Sequence, residues 1–363
     1  DIMTAGLPII DLGPLYSLPK FSDRKSGDRT EITTDQKAIA KNIQDACRHH
    51  GFFYVSNHGI DATLIQNAMQ STRDLFSIPS IEKENVSSTN NDLFRGYIST
   101  SDALHTCNSK KKEEVGVDQK ESFTLGAEGE GPMRGPNQWP SAEYLPAFKG
   151  TMQKYWNAQI DLCRIISRGL ALSLGLDPYF FEPHLTSPVA QMVLLSYPPP
   201  PKAFFSENIG MCRTRHTGCG EHTDCGFLTI LAQDLSGLEV QDPQTQQWKL
   251  VQPLDNMFVV NLGDMAARWT NDAYKSTKHR VYNQNAETRY SIPFFCNCNF
   301  EAPVECILTD NGSLSLLCDD NDNDIDNAGK EDDCNDENNG DIAKYEPTTA
   351  GAYIMERLGF MRK

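Results

Sequence analysis

His222-Thr223-Asp224 places an imidazole and a carboxylate two residues apart, and His279 follows 55 residues beyond that carboxylate. On a strand, positions i and i+2 project to the same side, so His222 and Asp224 can reach one ion. Two imidazoles and one carboxylate cover one face of an octahedron. That set suits a ferrous ion and leaves three positions for reactants. A bare His-x-Asp is frequent by chance, so the weight lies in what comes after it. Arg289 stands ten residues past His279, and Ser291 two further on. If residues 289–291 are a strand, these two face the same way, and a guanidinium fork beside a hydroxyl can grip one carboxylate at two points. Tyr197, in Ser196-Tyr197-Pro198, offers a third donor. No catalytic side chain is expected beyond the metal ligands.

The remaining histidines and nearby groups read more simply. His49 and His50 are expected at a helix end, where a cation is favoured. His58 belongs to a turn, and His105, His184 and His216 have no evident partner in the sequence. Cys219 and Cys225 flank the ligands and read as inert small hydrophobes. Asp264 sits in a turn-like Gly263-Asp264 pair and is not expected to ligate.

The elements around these residues show a change of character along the chain. Leu7–Leu12 reads as a first strand. Thr33 and Gln36 form a capping box, with Ile39, Ile43, Ala46 and Cys47 at helical spacing behind it and Gly51 as the stop. Phe52–Val55 is a buried strand, Asn57–Gly59 a turn, and a second helix is predicted over about 61–76. Phe148, Met152, Tyr155, Leu162, Ile166, Leu170 and Leu174 share one face of a long helix that ends near Gly175 and Pro178. Beyond residue 187 short β-rich runs take over, at 191–197, 227–233, 237–241, 257–262, 281–282 and 290–297. Turn residues separate them, a layout that suits a barrel or double-sheet jelly roll rather than βαβ units. Helical character returns near 349–358.

The chain has 363 residues and a formal charge of −16, with 39% apolar residues. An acidic balance argues against nucleic acid or an anionic membrane as partner, and no apolar run has the length of a membrane span. Residues 319–341 hold eleven Asp or Glu and one Lys, so −10 of the −16 falls in 23 residues and −6 in the rest. Such a segment cannot bury enough apolar area to order itself and is expected to be a disordered insertion. Asp320, Asp322, Asp324 and Glu331 echo a calcium-binding loop, but Ile325 stands where the turn needs Gly. The eleven cysteines show no framework and are expected to be free thiols in a reducing compartment. Asp1-Ile2-Met3-Thr4 lacks the regions of a secretory signal, so a cytoplasmic location is expected.

Taken together, the motifs resemble those of the isopenicillin N synthase-like 2-oxoglutarate/Fe(II) dioxygenases over nearly the whole length. The blocks are Gly51–Gly59, Arg95-Gly96-Tyr97, Lys120–Phe123, Gly135–Pro140, Glu221–Thr229, Val260–Asp264, Trp269–Asn271, Lys275–Val281 and Arg289–Phe295. The resemblance implies an α+β chain with a mainly β core, a distorted double-stranded β-helix wrapped by N-terminal helices. Residues 1–186 would pack on that core as a helical and strand region, and 187–318 with 342–363 would form it. By the same resemblance His222, Asp224 and His279 bind Fe(II), and Arg289, Ser291 and Tyr197 hold the distal carboxylate of 2-oxoglutarate. Phe295, Tyr97 and Phe123 are candidates to line or cover the pocket of a small-molecule substrate. The implied reaction uses O2 and releases succinate and CO2 while oxidising a C–H bond; hydroxylation is the foremost outcome, beside desaturation or ring closure. Ascorbate is the expected reductant and the monomer the expected state.

The chain departs from this pattern at Leu195, where many relatives carry Asn two residues before the tyrosine, and at Cys225, where an aromatic residue is common. The acidic insertion is also absent from most relatives. Two other readings stay open at the level of sequence. One is an oxidase of the isopenicillin N synthase type, whose Arg-x-Ser grips the substrate itself; the other is a binding protein that kept the fold without turnover.

Overall fold

A computed structural model describes residues 5–25, 30–100, 119–200, 218–307 and 343–359. The acidic stretch 319–341, its calcium-loop echo, and His105 and His216 lie outside them.

The capping box at Thr33 forms as the sequence predicts: its side chain accepts from the Gln36 N–H, and Gln36 reaches back to the Thr33 N–H. Helix α1 (Thr34–His49) then buries Ile39, Ile43, Ala46 and Cys47. Helix α2 (Ala62–Ser77) starts at an Asp61 cap, and a short α3 (Ser80–Glu84) follows. The long helix α4 (Phe148–Ser173) packs against both α1 and α2.

The strands are β1 (Ile9–Asp11), β2 (Phe52–Ser56), β3 (Gly96–Ile98), β4 (Glu121–Gly126), β5 (Gln191–Tyr197), β6 (Cys219–His222), β7 (Leu228–Gln233), β8 (Leu238–Gln241), β9 (Trp248–Val251), β10 (Phe258–Leu262), β11 (His279–Val281), β12 (Arg289–Cys296), β13 (Pro303–Val304) and β14 (Thr348–Thr349). Eight form one sheet in the order β1-β2-β10-β7-β12-β5-β4-β3, and four form a smaller one in the order β6-β11-β8-β9. All pairings of these strands except β1 with β2 are antiparallel. This is the double-sheet jelly roll anticipated from strand spacing. Four strands from the first 186 residues are hydrogen-bonded into the large sheet, so the N-terminal region shares its backbone ladder with the core. The strand pattern read from sequence omits β3, β4, β6, β9, β13 and β14; all but β4 have four residues or fewer, too few to show a period, and on β4 only Phe123 and Leu125 alternate with polar residues.

Alternation along β12 separates two cores. Ile292, Phe294 and Cys296 face α4, where Phe294 meets Trp156 at 5.0 Å between ring centroids. Arg289, Ser291, Pro293 and Phe295 face the space between the sheets. There a second cluster, including Phe52, Tyr54, Tyr197, Leu238, Val259 and Val281, closes one end. Each such side chain, fully buried, contributes about 1.5–3 kcal/mol.

The expectation of free thiols fails at one pair. Cys163 on α4 and Cys296 at the end of β12, 133 residues apart in sequence, form a disulfide. Packing of helix on strand brings them together, and sequence spacing carries no trace of that contact. Cys47, Cys225, Cys298 and Cys306 are free thiols. No helix of the described residues is long and apolar enough to cross a membrane.

Candidate metal and carboxylate site

His222 ends β6 and His279 begins β11, and the two are direct cross-strand partners. Their rings therefore stand 4.2 Å apart between centroids. Asp224 lies just past the end of β6, so strand parity is not what aims it. Its Oδ2 accepts from Thr229 Oγ1 at 2.6 Å and from Asn261 Nδ2 at 2.8 Å, both donors being buried on adjoining strands β7 and β10. Those two bonds orient the carboxylate and leave Oδ1 toward the histidines, 3.7 Å from His222 Nε2 and 3.6 Å from His279 Nε2. One ligand atom from each residue lies within 4.8 Å of the others.

The ring orientations fit a metal. His222 Nδ1 is 2.8 Å from the Gly220 carbonyl, and His279 Nδ1 is 3.1 Å from the Thr277 carbonyl. Each Nδ1–H thus donates to backbone, which fixes the tautomer with the Nε2 lone pair facing inward. Phe52 packs edge-on against His279 at 5.3 Å. Burial lowers the His279 pKa, with Asp224 opposing, so this ring is neutral and ready to ligate. Burial would raise the Asp224 pKa, but the hydrogen bonds from Asn261 and Thr229 and the charge of His222 outweigh it and keep the carboxylate ionised. Burial also works against the His222 cation, yet the Cys219 thiol and Asp224 carboxylate hold its pKa up to about 9. Two imidazoles and a carboxylate, all turned to one point, are a donor set for Fe(II).

The cavity beside them encloses about 220 Å³. At its other end Arg289 is 1% exposed. Its Nε donates to the Leu235 carbonyl at 3.0 Å, Nη2 to Gln233 Oε1 at 2.8 Å and Nη1 to Ser291 Oγ at 3.2 Å. Every one of these acceptors is neutral. A buried guanidinium without a carboxylate among those partners is costly, and an anionic ligand would offset that cost. Tyr197 pairs with Arg289 across β5 and β12, and its ring lies 5.0 Å from the guanidinium carbon. The structure therefore brings Arg289, Ser291 and Tyr197 together: strand parity aligns the first two, and the register of β5 on β12 adds Tyr197. Gly237, at φ +150°, lets the chain pass close: a Cβ there would stand 3.0 Å from Arg289 Cδ and 2.8 Å from the Tyr282 carbonyl oxygen.

Phe295 lines the same cavity. Tyr97 and Phe123 do not, which corrects the expectation that they cover it. Phe123 is fully buried on the opposite face of β4, edge-on to Phe148. Tyr97 pairs with it across β3 and β4, and its hydroxyl donates to Glu121 on that same outer face. Ser122 on the cavity face of β4 and Lys120, just before the strand, line it instead. Sequence reasoning singled out aromatic residues and missed this pair, although period-two counting along 120–126 would have separated the faces. It also missed Thr229, Asn261 and Gln233. The first two sit inside recognised motif blocks, but the partners of all three are revealed only by the folded sheet.

Two family models match the chain: the non-haem dioxygenase in morphine synthesis N-terminal model over residues 7–142, and the 2OG-Fe(II) oxygenase superfamily model over 189–297. Among curated proteins, the 2-oxoglutarate-Fe(II) type oxidoreductase hxnY of Emericella nidulans is 34% identical over 313 residues, covering 83% of this chain and 82% of the relative. Homoarginine-6-hydroxylase 2-ODD-233 of Oryza sativa is 31% identical over 357 residues, covering 97% and 96%. Among solved structures, a full-length Neurospora crassa protein in complex with α-ketoglutarate and thymine is similar at a TM-score of 0.73 and 28% identity, covering 98% of this chain and 96% of that one.

Proposed function

The chain belongs to the 2-oxoglutarate–Fe(II) oxygenase superfamily, and from that premise we propose which residues serve the reaction and what it acts on. His222, Asp224 and His279 hold Fe(II). Arg289, Ser291 and Tyr197 hold the distal carboxylate of 2-oxoglutarate. The observation that carries this reading is the pairing of the inward-facing Nε2, Nε2 and Oδ1 atoms with a buried guanidinium whose protein hydrogen-bond partners are all neutral.

When bound, the iron couples O2 and 2-oxoglutarate to oxidation of a C–H bond, giving succinate, CO2 and, by hydroxylation, an alcohol. The chain's own residues do the rest. The Nδ1–carbonyl bonds and the Thr229 and Asn261 donors fix the three ligands before any reactant arrives. Leu195, Leu231, Leu238, Val281 and Pro293 exclude water between metal and carboxylate grip, which strengthens every charge interaction there. Phe295 and Val193 form an apolar wall for the substrate. The substrate is a small organic metabolite, of the size of the homoarginine in one relative's name and the thymine bound to another. The enzyme works as a cytoplasmic monomer, and ascorbate keeps the iron ferrous.

The test is an anaerobic titration of 2-oxoglutarate into Fe(II)-loaded protein, following the visible metal-to-ligand charge-transfer band. A saturable band in the parent, absent in His279→Ala, is expected. Iron binding without any band would overturn the cosubstrate assignment, and no iron binding would overturn the metal assignment.

A further inference from the structure

Asp264, set aside as a ligand at the level of sequence, is a junction of three segments. It opens the short helix α5 (Asp264–Trp269). The first backbone N–H groups there bind the loop that carries Asp224: Gly263 N–H to the Phe227 carbonyl at 3.0 Å, Asp264 N–H to that of Asp224 at 2.7 Å, and Met265 N–H to that of Gly226 at 3.1 Å. The Asp264 side chain turns elsewhere. Its Oδ1 accepts from Ser276 Oγ at 2.7 Å, on the segment that leads three residues later to His279. Its Oδ2 accepts from Tyr353 Oη at 3.1 Å and pairs with Arg357 Nη2 at 3.2 Å, both on the C-terminal helix α6 (Ala350–Arg357).

That C-terminal segment is fastened to α5 and the turn after it at further points. Arg268 lies between the rings of Tyr345 and Tyr353, at 4.5 and 5.1 Å from their centroids. Its Nη2 donates to the Glu346 carbonyl at 2.9 Å. Tyr345 Oη donates to Asp272 Oδ1 at 2.7 Å, and the Lys344 N–H to Asn271 Oδ1 at 2.9 Å. Arg357 is half exposed and its pair with Asp264 contributes little. The part-buried Tyr353 hydroxyl and the Arg268 sandwich carry most of the attachment.

We propose that Asp264 is a positioning residue for the metal site, through which the C-terminal segment 343–358 acts as a clasp that sets the spacing of Asp224 and His279. The proposal rests on the reading of His222, Asp224 and His279 as metal ligands. The segment that carries Asp224 and the one that leads to His279 are held at one residue, by its N–H and its Oδ1. The clasp holds that residue by its Oδ2. Releasing the clasp frees Asp264 to shift, and both ligands lose their fixed separation together.

Co(II) titration, read from the visible d–d absorption well below the melting temperature, tests this without turnover. Asp264→Asn keeps an acceptor for Ser276 and loses the anion that Tyr353 and Arg357 hold. It is expected to weaken Co(II) binding about tenfold, the low end for removing a partner that supports a ligand. Tyr353→Phe with Arg357→Gln leaves Asp264 intact and should give a smaller loss in the same direction; it serves alone if Asp264→Asn does not fold. A lowered melting temperature with unchanged Co(II) affinity in the double variant would overturn the clasp as a merely structural attachment. Parent protein that binds no Co(II) would overturn the metal reading and the clasp with it. Parent binding lost in His279→Ala keeps the metal reading whatever the clasp variants do.

Discussion

Arg289→Lys keeps a positive charge at the closed end of the cavity and removes only the fork. In the parent the guanidinium has five N–H donors, and three go to Leu235, Gln233 and Ser291. At most two are left for a ligand carboxylate, which matches a two-point grip. A lysine ammonium has three donors on one atom and cannot serve the Gln233 and Leu235 acceptors while presenting two to a ligand. One charge-assisted hydrogen bond is therefore lost, worth about 1.5–3 kcal/mol. At about 1.4 kcal/mol per decade, the 2-oxoglutarate Kd should rise roughly 10- to 150-fold. The assay is the anaerobic charge-transfer titration, run beside a Co(II) titration that reads the metal ligands alone. Co(II) affinity should hold, because no metal ligand touches Arg289. A 2-oxoglutarate Kd within about threefold of the parent, in a folded variant, would refute the grip, since that is less than half a decade. A parallel fall in Co(II) affinity would refute its being local.

Three other perturbations follow from the geometry. In metal-free protein the His222 pKa stands at about 9, above the ordinary value, so its proton stabilises the apo fold below about pH 6.5 and that stabilisation is lost as pH rises through 9. A metal must displace this proton, so Co(II) affinity should climb nearly tenfold per unit between about pH 7 and 8.5; a flat profile would contradict the assignment. A Cβ on Gly263 would stand 2.2 Å from the Gly226 carbonyl oxygen and 2.8 Å from that of Asp224, so Gly263→Ala should cost about 3 kcal/mol, the upper end for overpacking, with melting temperature and Co(II) affinity falling together. Removing the Cys163–Cys296 bridge by Cys163→Ala should cost about 2–5 kcal/mol, seen as an earlier melt that reductant does not shift further, whereas the parent's does.

The proposed metal set is legible because ligation demands residue types that few other roles share, and because its spacing survives in sequence. His222, Asp224 and His279 stand out as letters. The reason they meet was only half legible. Strand parity does not extend to Asp224, which lies beyond β6 and is aimed by Thr229 and Asn261. The direct pairing of His222 with His279 is a register, set by two short strands of which one was assigned in part and the other not at all. Helices with strong apolar periodicity, such as 34–49 and 148–173, were legible nearly to their ends, since burial on one face writes a period into the chain.

Parity worked where the strand was long and failed where its strand was not recognised. On β12 the alternation Arg289, Ser291, Pro293, Phe295 puts the proposed carboxylate grip and an aromatic residue on one face, and counting by twos from Arg289 reaches each of them. The same count on β4 from Lys120 reaches Ser122 and passes over Phe123, which belongs to the helix side. Residue type points to Phe123 and Tyr97, whereas position does not. An aromatic ring stabilises whichever core it faces, so its presence says little about which face is the cavity. A lysine or serine on an inner strand position is more informative, because burying it without a polar neighbour or ligand is costly. The polar residues on inner faces here, Thr229, Asn261, Gln233, Ser291, Arg289 and Lys120, therefore trace the cavity better than its aromatic residues do. The same cost explains why Asp264 repays attention: a mostly buried carboxylate that holds Ser276, Tyr353 and Arg357 is placed to join segments, and the segments it joins carry Asp224 and His279.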